Sequence, residues 1–458
     1  MPISSDHRRA LAVLCGSLFL CALCCLYGAR AAHGAQPRSR PGRGVPGTSP
    51  YPSGASRPSI RPRSSEFARA ATSARPSSSS GGAAAPGSSG SPKTSSGTKL
   101  NSSKPVLHGN PARALVAFQA MQKAYYLKGS SLYAGEPFSY LWPFSQALAA
   151  TVSMAYIPHL GVSLAGELKA RVVGLGSYLD ADNSAAPAGT FTSTLPAFDG
   201  EVAPPAGPGG TKYYDDNDWV GIELVRLYQL DHSAGVLGYA EGIMAFEMAG
   251  WQSSPELGCP GGLPFSNAAA NAERNTTTTA PAAELATELY RITGNSQYLQ
   301  FAEMAYEWVR QCLLQPSGLF ADHVNRKGVV EPQLWSYNQG SMIGAGTLLY
   351  QATGNSAYLY EARQTAKAAL VYFTPERLGS EIPFFPSVYF RNLLYLDSVT
   401  HDPPGPAIAQ AYVNYAWEHL RLKNDLFVAG SPASAQLLVQ AAIVQVYALL
   451  SSPPSTYF

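Results

Sequence analysis

One stretch of this chain occurs three times, and the repetition limits its possible folds more than any other feature. The copies begin at Leu227-Tyr228, Leu289-Tyr290 and Leu349-Tyr350, so their starts are 62 and 60 residues apart. Each copy has the pattern of a helix end, a tight turn and a second helix. In the last two copies, Gly294 and Gly354 suit the left-handed position after a helix, and the Asn-Ser that follows can cap the next one. The sequence therefore predicts helical hairpins repeated at a fixed period.

Helical periodicity extends from these copies toward both ends of the chain and predicts twelve helices. They cover roughly 112–127, 143–157, 162–181, 216–230, 234–250, 280–293, 296–314, 339–353, 356–373, 386–400, 406–422 and 433–452. Long loops, rich in Gly, Pro and aromatic residues, separate them at 182–215, 251–279 and 315–338. Few segments have a strand pattern, so we expect an all-α fold, with six hairpins closed into an (α/α)6 barrel. An open solenoid is the alternative.

An acidic and aromatic cluster, KYYDDNDWV at 212–220, lies where the fourth of these helices begins. A single aspartate there needs no explanation beyond helix capping and the helix dipole. Three aspartates and three aromatic residues exceed what a cap requires, and in a barrel the inner-helix N-termini face one mouth together with the long loops. The cluster is therefore a candidate functional site; its members are Tyr213, Tyr214, Asp215, Asp216, Asp218 and Trp219.

The first 104 residues differ from the rest in composition. Residues 1–35 combine a basic start with an uncharged run from Ala10 to Ala29, which predicts a signal peptide or, alternatively, a membrane anchor. Residues 36–104 contain 19 Ser, 10 Pro and 9 Gly, so we expect a disordered spacer. Its net charge is +10, whereas residues 105–458, the expected barrel domain, carry −10. The spacer is either a solvated tether or a contact to an anionic cell envelope; an acidic domain makes nucleic acid a poor partner.

Two cysteines lie outside the leader, Cys259 and Cys312. In an oxidising compartment they either form a disulfide or remain two buried thiols. Their spacing does not match a zinc site, and no metal or organic cofactor is expected.

Three segments carry a resemblance to glycoside hydrolase family 76, the endo-α-1,6-mannanases. They are YYDDNDWVGIELVRLYQL at 213–230, TAPAAELATELYRITGNSQYL at 279–299 and QLWSYNQGSMIGAGTLLYQATGN at 333–355, and SYLWPFSQALAA at 139–150 is also similar. The resemblance covers about 112–451 and implies an (α/α)6 barrel that cleaves α-1,6-mannosidic bonds with retention of configuration. It also implies that Asp215 is the nucleophile and Asp216 the general acid/base.

Other residues near these motifs are candidates for binding sugar, with capping or core packing as the alternative for each. Aromatic side chains can stack on sugar faces, and amide or guanidinium groups can bind hydroxyls. Asp218 either supports the catalytic pair or caps the helix. Besides Tyr213, Tyr214, Asp218 and Trp219, the candidates are Trp251, Arg274, Asn275, Gln333, Trp335, Tyr337, Asn338 and Gln339.

The chain departs from the family in one loop, where Leu263-Pro264-Phe265 follows Gly261-Gly262 in place of a frequent aromatic pair. This departure concerns one sugar subsite. The eight histidines are scattered without a pattern, which argues against the sugar epimerases that share this barrel.

The leading hypothesis from the sequence is an exported bacterial mannanase acting on yeast-type mannan or on the mannan core of a lipoglycan. A transglycosylase that joins mannan to another wall polymer would use the same residues. A wall protein that binds mannan without cleaving it, attached by its basic spacer, is the alternative outside enzymology; the intact aspartate pair argues against it.

Overall fold

The computed structural model describes residues 107–180, 197–268, 273–402, 404–429 and 436–458. The predicted leader at 1–35 and spacer at 36–104 lie outside the described residues. Within these ranges there are thirteen α-helices: α1 Gly109–Tyr125, α2 Leu141–Ala155, α3 Ala165–Leu175, α4 Tyr214–Asp231, α5 Ala234–Gly250, α6 Thr276–Thr293, α7 Ser296–Leu313, α8 Ser336–Thr353, α9 Ser356–Tyr372, α10 Pro375–Ser380, α11 Phe384–Thr400, α12 Gly405–Tyr415 and α13 Leu437–Leu449.

Six of these helices form a closed inner ring. Each packs on the next in the order α2, α4, α6, α8, α11 and α13, and α13 packs back on α2. The outer helices α1, α3, α5, α7, α9 and α12 cover the ring, each against an inner helix. Because the ring closes, the fold is the predicted (α/α)6 barrel, and the open solenoid is excluded. The short helix α10 is the one helix here that the periodicity did not predict.

The hairpin turns have the predicted chemistry. Gly294 and Gly354 follow α6 and α8 with φ of 72° and 73°, in the left-handed region. Asn295 and Asn355 then cap α7 and α9, each accepting a hydrogen bond from a backbone N–H two residues on. In the first copy His232 occupies the left-handed position with φ of 53°, so the turn forms there without glycine.

Short strands lie in the long loops that precede the inner helices. They are β1 Tyr126–Leu127, β2 Leu132–Tyr133, β3 Leu179–Asp180, β4 Ala197–Phe198, β5 Arg274–Asn275, β6 His323–Val324 and β7 Val330–Glu331. The strands β5, β6 and β7 form an antiparallel sheet with β6 in the middle. This sheet joins the loop before α6 to the loop before α8, so these two loops hold each other in place.

Inner helices also clamp the loops by side-chain amides. The amide of Gln339 in α8 accepts from the backbone N–H of Phe320 at 2.7 Å and donates to its carbonyl at 2.9 Å. Asn217 in α4 pairs in the same way with Phe198, and Gln440 in α13 pairs with Phe427. Each bond satisfies a buried polar group of a loop that lacks regular partners. The clamps fix the loops that surround the N-terminal mouth of the ring.

Buried ion pairs link the inner helices farther along the barrel. Glu223 of α4 accepts from Arg226 at 2.7 Å and from Arg391 of α11 at 2.9 Å. Arg391 also contacts Glu284 of α6 at 3.4 Å. Burial raises the pKa of Glu284 to about 8, although Arg391 opposes the shift. Within the described residues no helix is both long and apolar enough to cross a membrane.

Candidate active site

The first turns of the inner helices meet at one end of the barrel, which we call the mouth. Aromatic rings form its floor: the rings of Trp142 on α2, Trp219 on α4 and Tyr337 on α8 all contact Phe384 on α11, with centroid distances of 5.4, 5.5 and 6.1 Å. Three helices thus converge on Phe384 of a fourth helix, and this side chain is only 1% exposed. The long loops that lead into the inner helices border this floor.

Asp215 and Asp216 lie in the first turn of α4, at this mouth. Asp215 is partly exposed, whereas Asp216 is buried. The Asp216 N–H donates to Asp215 Oδ1 at 3.0 Å, so one carboxylate oxygen of Asp215 satisfies a free donor at the helix start. Burial raises the pKa of Asp215, and the charge of Asp322 raises it further, against the lowering effect of backbone hydrogen bonds. The pair therefore combines a reachable carboxyl with a neighbouring enclosed one.

A further acidic residue at this mouth is Asp322, which lies on the loop before α8. Its Oδ1 accepts from Asn338 Nδ2 of α8 at 3.3 Å, and its Oδ2 lies 3.2 Å from Nδ1 of His323. Asp322 also accepts a hydrogen bond from the Thr276 N–H through its backbone carbonyl. The side chain of Asp322 is 21% exposed. Asp322 is therefore partly accessible to solvent and held beside the first turns of α6 and α8.

The loop that leads into α4 is fixed by a buried cation. Lys212, fully buried, places its Nζ 2.7 Å from Asp199 Oδ1 and 3.2 Å from Asp180 Oδ2. Burial raises the pKa of Asp199 to about 6, although Lys212 lowers it. The backbone of Lys212 also exchanges two hydrogen bonds of 3.0 Å with Asn267. This set of contacts positions the chain three residues before Asp215.

Sequence comparison decides the family. The sequence model of glycosyl hydrolase family 76 matches residues 112–392, which are more than half of the chain. The chain belongs to glycosyl hydrolase family 76. The family resemblance expected from the motifs is thereby confirmed.

Curated relatives of this family-76 chain are distant. Mannan endo-1,6-alpha-mannosidase of Saccharomyces cerevisiae is 27% identical over 106 residues, which are 22% of this chain and 24% of that protein. The enzyme of the same name from Candida glabrata is 28% identical over the same lengths. The chain thus matches about a quarter of the curated relatives' length.

Solved structures share the fold over a longer range. A family 76 mannosidase from Bacteroides thetaiotaomicron has a TM-score of 0.65 and 20% identity, covering 75% of this chain and 98% of that one. An α-1,6-mannanase from Salegentibacter, inactivated by replacing two neighbouring aspartates with asparagine and bound to α-1,6-mannotriose, has a TM-score of 0.59 and 18% identity. It covers 75% of this chain and 99% of that one. At these identities the likeness establishes the helical barrel.

Three residues that were predicted to bind sugar make stacking contacts or hydrogen bonds inside the protein. Tyr214 is 1% exposed and stacks on Phe246 with a centroid distance of 4.6 Å. Arg274 is fully buried and donates to the carbonyls of Gly258, Cys259 and Asn325, so it fastens two loops together. Gln339 forms the amide clamp described above. Their polar or flat surfaces have partners inside the protein, which sequence alone does not reveal.

Asp218 and Trp219 lie beneath the mouth. Both are nearly inaccessible, at 0% and 3% exposure, and among the described residues neither carboxylate oxygen of Asp218 nor the indole nitrogen of Trp219 has a hydrogen-bond partner. Burial raises the pKa of Asp218 well above its usual value, and the nearby carboxyl of Glu247 on α5 raises it further. Asp218 therefore lies buried in the same part of α4 as Asp215 and Asp216, in surroundings that favour its neutral form more than water does.

The remaining predicted residues lie around the mouth with differing access. Trp335 is half-buried against Phe385, and Tyr337 stacks on the same ring at 4.1 Å. Asn338 contacts Asp322, and Asn275 lies on β5. The exposed Gln333 donates a hydrogen bond to the carbonyl of its neighbour Leu334. Tyr213 packs edge-on against Phe265, and Trp251 contacts Phe301 and Trp308 on the outer side. The structure thus places Asn338 against Asp322, whereas Trp251 packs against two side chains of the outer helix α7.

The loop that departs from the family pattern is closely packed. Gly261 and Gly262 have φ of 116° and 79°, and a Cβ at either one would collide with the indole of Trp308 at 2.4 Å. Cys259 and Cys312 form a disulfide with a Cα–Cα distance of 6.2 Å, which closes the question left open by their spacing. Leu263, where the aromatic pair is frequent, is fully buried. This position therefore contributes to the loop core.

Among the charged residues at the site, Asp322 and His323 are two that the sequence did not single out. They lie in the loop at 315–338, which its length already indicated as functional. Nothing in the sequence shows which residue of a 24-residue loop turns toward the mouth.

Proposed function

We propose that this family-76 protein is a retaining endo-α-1,6-mannosidase, which hydrolyses internal α-1,6-mannosidic bonds of a mannan or of a lipoglycan's mannan core. The observation that carries the proposal is the placement of Asp215 and Asp216 in the first turn of α4 at the mouth. The α-1,6-mannanase and mannan endo-1,6-alpha-mannosidase relatives support the choice of bond. The reaction needs no cofactor.

The two carboxyl groups supply the two functions that a retaining hydrolase requires. The Asp215 carboxylate attacks the anomeric carbon, and the bond to the leaving oxygen breaks while Asp216 gives that oxygen a proton. Asp216 then takes a proton from water, whose oxygen attacks the anomeric carbon and releases Asp215. Attack requires the ionised form of Asp215. Because its pKa is raised, we expect activity to fall with decreasing pH well before the usual aspartate range near 4.

The proposed activity is tested by incubating the protein with linear α-1,6-mannan and sizing the products by mass spectrometry. Cleavage of internal bonds gives a ladder of short oligosaccharides early in the reaction. A parallel incubation with an added acceptor glycan separates hydrolysis from transfer, since transfer gives products longer than the substrate. Mannan that is bound but left intact by the wild-type protein would contradict an enzymatic role.

Azide distinguishes the roles of the two aspartates. In Asp216→Ala the glycosyl enzyme still forms from an aryl α-1,6-mannobioside with a good leaving group, so azide is expected to give the α-mannosyl azide. In Asp215→Ala, azide takes the place of the missing carboxylate and is expected to give the β-azide. NMR of the azides reads the configuration. The opposite pairing of variant and anomer would exchange the two roles.

We further propose that the protein acts outside the cytoplasm, at the cell envelope or beyond it. The leader-like start and the basic stretch at 36–104 support this location. The disulfide between Cys259 and Cys312 also supports it, because disulfides persist in oxidising compartments. Cell fractionation with an antibody to the barrel tests the location; recovery only from the cytoplasm would contradict it.

A further inference from the structure

His323 lies in the middle of the sheet that borders the mouth. It lies on β6, the central strand of the three-stranded sheet, opposite Asn275 on β5 and Glu331 on β7. Its Nδ1 is 3.2 Å from Asp322 Oδ2, and its Nε2 is 3.7 Å from Glu273 Oε2. The imidazole thus bridges two carboxylates, one of them directly at the site.

Three carboxylates act on this imidazole. They are Glu273 before β5, Asp322 on its own loop and Glu331 across the sheet. Burial by itself lowers the pKa of His323, but the hydrogen bond to Asp322 and these three charges outweigh it, and the net shift is upward. The side chain is 19% exposed, which leaves this cluster incompletely screened by water. These surroundings therefore favour the cationic form of His323 more than water does.

Asp322 connects His323 to the reaction. Its charge raises the pKa of Asp215, the residue that must be ionised to attack. Its two oxygens are held separately, Oδ1 by Asn338 and Oδ2 by His323. A cation on Oδ2 offsets part of the charge that Asp215 experiences, and the hydrogen bond fixes the direction in which Oδ1 points.

We propose that His323 is a positioning residue for the reaction, which orients Asp322 and offsets its charge beside Asp215. The inference rests on the proposed function for its kinetic consequence, but the bridge itself is a property of the unliganded protein. His323 does not touch the reacting atoms and acts through Asp322. This role requires a positive charge at position 323, whereas a purely structural role in the loop would not.

The kinetic test compares His323→Gln with His323→Lys, using the pH profile of kcat/KM for α-1,6-mannotetraose. His323→Gln removes the cation, so the pKa of Asp215 rises and the acidic limb is expected to move up by about 0.5–1 pH unit. His323→Lys keeps a cation beside Asp322 and is expected to keep the limb near its wild-type position. His419→Gln is the matched control, at a histidine that is 40% exposed and lies in the π-helical turn Ala416–Leu420. An unmoved limb in His323→Gln, or equal shifts in both His323 variants, would overturn the proposal.

A second measurement does not depend on catalysis. The titration of the His323 ring, followed by NMR in the unliganded protein, is expected to show a lower pKa in Asp322→Asn than in the wild type, because linkage between the two groups is reciprocal. An unchanged titration would refute the bridge. This measurement also decides the proposal if His323→Gln fails to fold. Failure of the wild type to cleave mannotetraose would instead refute the proposed function, and the NMR result would still stand.

Discussion

Asp215→Asn and Asp216→Asn are each expected to lower kcat/KM for linear α-1,6-mannan by at least about 10³-fold, while the barrel remains folded. An amide at 215 cannot attack the anomeric carbon, and an amide at 216 cannot protonate the leaving oxygen. Both substitutions preserve the size of the side chain, and neither aspartate belongs to the buried ion pairs of Lys212, Arg226 or Arg391. Reducing-sugar assays measure the loss, and circular dichroism checks the fold.

The two variants should differ on an aryl mannoside whose leaving group needs no proton. Asp216→Asn is then expected to retain a rapid first step and accumulate the glycosyl enzyme, whereas Asp215→Asn stays inactive. Asp402→Asn is the matched control, since that side chain is 76% exposed and follows α11 at the end of the barrel away from the mouth. Wild-type-like hydrolysis of mannan by either site variant would refute the assignment of the pair.

Lys212→Met is expected to have the largest effect on stability, lowering the free energy of unfolding by about 3–5 kcal/mol, because it leaves buried carboxylates without their cation. Lys212 is fully buried between Asp180 and Asp199, whose side chains are 3% and 0% exposed. Denaturant unfolding measures the change. Lys367→Met, at an exposed lysine of α9, is the control and should stay within about 0.5 kcal/mol of the wild type.

The loss of unfolding free energy caused by Lys212→Met should be smaller at low pH than at high pH. The folded-state pKa of Asp199 is already raised, to about 6, and loss of Lys212 raises it further. A carboxyl with a raised folded-state pKa stabilises the fold when protonated, and this contribution is lost as pH rises through that pKa. The variant should therefore be less destabilised at pH 5 than at pH 7.5. A cost independent of pH would mean that packing, not charge, accounts for the effect of Lys212.

The barrel was predictable from the sequence because its signals are local. Glycines at 294 and 354 and the asparagines that follow them specify the hairpin turns by backbone conformation and capping alone. Six hairpins predict a ring, and the ring closes in the structure because α13 packs on α2. The aspartate pair could also be found from the sequence as a candidate, since both carboxylates lie in one short motif.

The surroundings of the pair were not predictable in the same way. Arg274 and Gln339 have the chemistry of sugar ligands, yet their partners are loop carbonyls and amides distant in sequence. Conversely, His323 belongs to no motif and gains its place from strand pairing in the β5–β6–β7 sheet. Whether a polar side chain faces a groove or a neighbouring loop depends on long-range contacts, which periodicity and spacing do not encode.

The central claim, retaining hydrolysis by the Asp215 and Asp216 pair, is tested most directly by proton NMR of α-1,6-mannotetraose during the first minutes after enzyme is added. A double displacement releases the new reducing end in the α configuration, so the α-anomeric signal should rise first and the β signal should follow by mutarotation. The Asp215→Asn sample should show neither signal. Early appearance of the β anomer, or release of α product by Asp215→Asn, would contradict the account.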